Sequence, residues 1–69
     1  MLKNHNFDLV HALAKKNSAL WRYVEHYKNN AEGCKECSLL WKTLEEDDTK
    51  HIAMLVAEIK KHMTEGRFE

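Results

Sequence analysis

Cys37, Trp41, Leu44, Asp48, His51, Leu55, Glu58 and His62 follow one another at steps of three and four residues, the spacing of a single stripe on an α-helix. Asp48 and His51 stand one turn apart in the middle of a stripe that is otherwise largely apolar. A carboxylate and an imidazole at i, i+3 on an inward face is how helical bundles present metal ligands, and oxygen with imidazole nitrogen suits iron, manganese or zinc. An unpaired buried carboxylate costs several kcal/mol, so Asp48 needs a cation, a donor or a proton. A transition metal would meet that need, with Asn17 or His11 of the preceding segment assisting. A buried polar layer of Asn17 and Asp48 that sets helix register, with His51 as donor, would meet it equally.

A second group is Cys34-Lys35-Glu36-Cys37. At the start of a helix, free N–H groups and the helix dipole favour a thiolate, which suits a redox pair or half of a zinc site, with His26 as a third ligand. The alternative is two small buried thiols closing the end of the structure. Cys37 is not followed by His, which excludes the c-type haem attachment pattern. No phosphate-binding Gly loop, nucleophile elbow or Ser-His-Asp set is present, so no catalytic residues are assigned.

The elements that must position these residues are helical. The chain has 69 residues, 43% hydrophobic and 32% charged, with no Pro and two Gly. One all-α domain is expected over residues 1–69. Asn6 is expected to cap the first helix, with Asp8 in its first turn. Val10, Leu13, Asn17, Leu20, Val24 and Tyr27, widened by Ala14 and Trp21, then mark an amphipathic helix of about six turns, roughly residues 6–29. Asn29-Asn30-Ala31-Glu32-Gly33 breaks it. A second helix runs from about 34 to 64, ending before Gly66.

Two long helices joined by a short turn pack antiparallel. A turn centred on Ala31 opposes residues whose numbers sum to roughly 62, bringing Trp21 near Trp41 and His11 near His51, with Asn17 within about a turn of Asp48. A hairpin leaves much of both stripes wet, so it is expected to dimerise into a four-helix bundle through Trp21, Trp41, Leu44 and Leu55. The aromatic residues are expected to fill core and interface.

This arrangement resembles half of a ferritin-like bundle, and specifically the two-helix encapsulated ferritins, over roughly residues 7–64. The resemblance implies a subunit dimer with an iron site across its interface. Where that family carries Glu on the first helix and Glu-x-x-His on the second, this chain has Asn17 and Asp48-Thr49-Lys50-His51.

Eleven Lys plus Arg balance eleven Asp plus Glu. With no net field to attract phosphate, nucleic acid is not an expected partner. No run approaches the roughly 18 apolar residues of a membrane span, and no signal-peptide apolar region is seen. A cytoplasmic protein with reduced cysteines is expected, either a homo-oligomer holding a metal or a non-enzymatic module that packs on another protein.

Overall fold

The computed structural model describes all residues, 1–69, and is an antiparallel helical hairpin with principal extents of 50 × 19 × 13 Å. The first rod is continuous from Asn4 to Asn30. It comprises α1 (Asn4–Arg22), a π-helical stretch (Tyr23–Tyr27) and a closing turn, α2 (Lys28–Asn30). The return helix, α3, spans Lys35–Thr64. The two-helix, all-α expectation holds.

The ends of the elements follow from local chemistry. Gly33 at φ 89° and Gly66 at φ 70° take the left-handed conformation, which costs a residue with a Cβ roughly 1 kcal/mol or more. After Gly66 the Arg67 N–H donates to His62 O at 2.9 Å and the Gly66 N–H to Met63 O at 3.1 Å, a Schellman ending that satisfies carbonyls left free by α3. At the other end, Cys34 is the N-cap of α3, its Sγ accepting from the Cys37 N–H. The expected cap at Asn6 is displaced. The first helix starts two residues earlier, after Lys3, with no side-chain cap and no acid in its first turn.

Asn6 does something else. It is wholly buried (0% exposed) and its Nδ2 donates to the carbonyls of Arg67 at 3.0 Å and Glu69 at 2.9 Å, while the Lys3 N–H donates to Glu69 O. That fixes the amide orientation and aims Oδ1 at His62 Nδ1, 2.7 Å away. His62 is itself buried, with Nε2 3.1 Å from Glu58 Oε1. The open end of the hairpin is therefore closed by a polar clasp joining both rods and the returning tail.

The register is shifted from expectation. Lys16 opposes Asp48 and Tyr23 opposes Trp41, pairs that both sum to 64, because the break closes over Ala31–Gly33 and α3 resumes only at Lys35. Trp41 accordingly stacks on Tyr23 (ring centroids 5.5 Å apart) and lies against Tyr27 (4.9 Å), not against Trp21. Trp21 instead meets His26 edge-on at 4.8 Å. The widened π turn carries both tyrosines on the side that faces α3. Near the turn, Lys28 and Glu45 form an ion pair between the rods.

The broad apolar arc of the first helix resolves into two seams. Leu9, Leu13, Leu20, Tyr23 and Tyr27 are half-buried and line the side facing α3, with Lys16 in the same series. Phe7, Val10, Ala14, Asn17, Trp21 and Val24 also alternate steps of three and four, about a quarter-turn round the helix, and all six are exposed.

Candidate functional site

Asp48 lies where the sequence stripe places it, on the inner face of α3 and 8% exposed. Its partner is Lys16. The Lys16 ammonium donates to Asp48 Oδ1 at 3.1 Å, and His51 Nδ1 lies 3.3 Å from both that oxygen and the ammonium nitrogen. His51 is satisfied in either tautomer. With the proton on Nδ1 it donates to Asp48; without it, Nδ1 accepts from Lys16. Lys16 reaches this position because its stem runs along the inner seam while its head stays half-exposed, the usual behaviour of a long cationic side chain over apolar surface. No buried side-chain nitrogen or oxygen in the chain lacks a partner.

Of the proposed metal ligands, the structure brings Asp48 and His51 together and leaves the other two elsewhere. Asn17 sits on the exposed seam, its Nδ2 donating to Leu13 O at 3.0 Å in its own helix. One residue of helical rotation, about 100°, separates it from Lys16, so with Lys16 on the face toward α3 Asn17 points away from Asp48. His11 is exposed and packs edge-on against Phe7 at 5.5 Å. Nowhere in the hairpin do three His, Cys, Asp or Glu side chains converge as metal ligands. A single chain thus does not assemble the ligand set that the ferritin-like resemblance implies, and its buried acid already has a cation.

The cysteines sit at the opposite end. Cys34 is half-exposed and Cys37 exposed, both as thiols, one turn apart at the start of α3. Hydrogen bonding from the Cys37 thiol, and then from the Cys37 N–H, holds the Cys34 thiol below the ordinary value. The same thiol–thiol bond, followed by desolvation, holds Cys37 above it. Beside them an open cavity of about 310 Å³ is lined by Tyr27, Asn30, Ala31, Cys34, Cys37 and Trp41. His26, engaged with Trp21, is not among its walls.

Of the expected interface residues, Trp21 is exposed at 58%, whereas Trp41, Leu44 and Leu55 are half-buried between the rods. The Asn6–His62–Glu58 clasp was not foreseen. The one hint was an Asn and a His near opposite ends of the chain, which a hairpin must bring side by side. No helix is long and apolar enough to cross a membrane. Comparisons with protein families, curated proteins and solved structures return no match, so the functional reading rests on the geometry of the chain itself.

Proposed function

We propose that the chain is an assembly module, a helical hairpin that functions as a homodimer or larger homo-oligomer, with Lys16, Asp48 and His51 as a polar layer that sets the register of its rods. The observation that carries this reading is the poverty of the isolated core. Ala31 is the only buried apolar residue, while Phe7, Val10, Trp21, Val24, Leu39, Leu40, Met54 and Met63 are all exposed.

The surface area points the same way. A compact folded chain of this mass would expose about 4500 Å². This one exposes 5366 Å². The excess, on the order of 800 Å², is what each partner contributes to a standard protein interface. Zero formal net charge removes the repulsion that would oppose self-association.

The seam that docks the second copy is Phe7, Val10, Ala14, Asn17, Trp21 and Val24. It has the alternating three-and-four spacing of a coiled-coil seam and lies a quarter-turn from α3, where a four-helix bundle needs it. Asn17, at its centre, is then the single polar residue in an apolar seam, the position that selects register and oligomeric state at some cost in stability. A cytoplasmic setting, with the thiols reduced, is part of this reading.

Light scattering at micromolar concentration should report at least twice the 8.2 kDa chain mass. Val10→Glu combined with Trp21→Glu should dissociate the assembly and take most of its helicity with it, while Lys50→Glu, on an exposed position of α3, should change neither. A wild type that is a stable, cooperatively melting monomer sinks the proposal. Asn17→Val should raise the melting temperature by several degrees and broaden the distribution of oligomeric states, read by native mass spectrometry; a lower melting temperature would remove Asn17 from the interface.

Metal binding is the second reading, supported by the convergence of Asp48 and His51 within 3.3 Å. In it, two copies would pool their pairs around iron, manganese or zinc, and the ammonium of Lys16 would have to withdraw.

A further inference from the structure

The turn end of the hairpin holds chemistry that the assembly reading does not use. Cys34, the N-cap, and Cys37, three residues on, stand at the start of a 30-residue helix. The Cys34 sulfur accepts from a backbone N–H that points out of the helix end, at 3.3 Å. Such a donor, with the positive end of the helix dipole behind it, stabilises a sulfur anion over a thiol. The second sulfur, three residues on, remains exposed. Tyr27 and Trp41 wall an open apolar cavity against both sulfurs, so an incoming sulfur can approach Cys34 without crossing the hairpin core.

We infer that Cys34 and Cys37 form a dithiol–disulfide exchange site, with Cys34 as the attacking sulfur and Cys37 as the resolving one, taking accessible disulfides as substrate. Cys34 thiolate attacks one sulfur of the substrate disulfide, forming a mixed disulfide and expelling the first substrate thiolate. Cys37, its proton released to solvent, then attacks the Cys34 sulfur, which closes the Cys34–Cys37 bond and expels the second thiolate. The protein dithiol loses two electrons and the substrate disulfide gains them, while the protons leaving the protein sulfurs are matched by those the two product thiols take up. The depressed Cys34 thiol and the elevated Cys37 thiol agree with this division of labour.

The test uses the full chain, glutathione disulfide as probe and mass spectrometry as readout, near neutral pH. Ser is a good helix N-cap, so Cys34→Ser keeps the start of α3 intact, and circular dichroism on each variant verifies it. Wild type should pass to a species lighter by two hydrogens with little glutathione adduct. Cys37→Ser should accumulate a glutathione adduct on Cys34. Cys34→Ser should react several-fold more slowly than Cys37→Ser and approach it only as pH rises into the range of an ordinary thiol. Equal rates for the two single variants overturn the assignment, as does wild type that collects adducts on both sulfurs without closing. Tightly bound zinc in the purified protein, lost on either substitution, overturns it in favour of a metal site.

Discussion

Asn6→Ala should remove most of the folding stability of the hairpin, the largest effect expected of any single polar substitution in this chain. The Asn6 amide makes three hydrogen bonds, to the carbonyls of Arg67 and Glu69 and to the ring of His62, and none of its surface reaches water. Truncation removes all three and leaves their partners facing a void. A buried polar group without a partner costs about 1–3 kcal/mol. The two carbonyls belong to a tail that can swing out and rehydrate, which puts the net loss at about 2–4 kcal/mol, centred on His62. A core of this size nets only about 3–5 kcal/mol. Urea melts followed by circular dichroism measure the loss. Because Asn6 and His62 act on each other, His62→Ala should cost nearly as much, and the double variant should cost less than the two singles added together. A loss for Asn6→Ala below about 1 kcal/mol, the value of an ordinary exposed hydrogen bond, would mean that the clasp frays in solution.

What the sequence discloses about this fold, and what it hides, follows from how far each interaction reaches along the chain. The rods, the break before Gly33 and the stop at Gly66 depend on local backbone preferences and are legible residue by residue. So is the burial of Asp48, which sits in phase with Trp41, Leu44 and Leu55 on one helix. Its partner is not legible. Lys16 reads as a surface residue because its charge must stay wet, and only the three-dimensional register shows its stem on the inner seam with its head over Asp48. Which of two adjacent residues faces α3 depends on the rotation of the first helix about its axis, and one residue of rotation, about 100°, exchanges Lys16 for Asn17. In the first helix the breadth of the apolar arc is itself the signal. An apolar arc too wide for one neighbour is two seams, one for α3 and one left exposed. The clasp joins residues 56 apart, and nothing local marks Asn6 as other than a helix cap.

Lys16→Met should destabilise the protein more than Asp48→Asn, and the order of the two decides between a register layer and a metal site. Asp48 keeps only 11% of its side chain exposed, whereas Lys16 keeps 39%. Removing Lys16 strands a nearly buried carboxylate with His51 alone, and the expected loss is about 1–3 kcal/mol, below the full cost of a deeply buried broken pair because the site has a wet edge. Removing the charge of Asp48 strands nothing comparable, since the half-exposed ammonium turns to water, and stability should change by under about 1 kcal/mol. Lys16→Met with Asp48→Leu, which replaces the pair by packed apolar groups, should recover most of the Lys16→Met loss and can exceed wild type. Chelator should move none of these melts. If Asp48 and His51 hold a cation, every sign changes. Lys16→Met removes the competing ammonium and strengthens metal binding, Asp48→Asn abolishes it, and a metal in hundredfold excess over its dissociation constant adds about 2.7 kcal/mol to wild type and nothing to Asp48→Asn. Thermal melts of four proteins, with zinc, with manganese or ferrous iron, and with chelator, contain the whole comparison. A wild type stabilised by metal and a Lys16→Met variant stabilised further would replace the register layer by a metal centre.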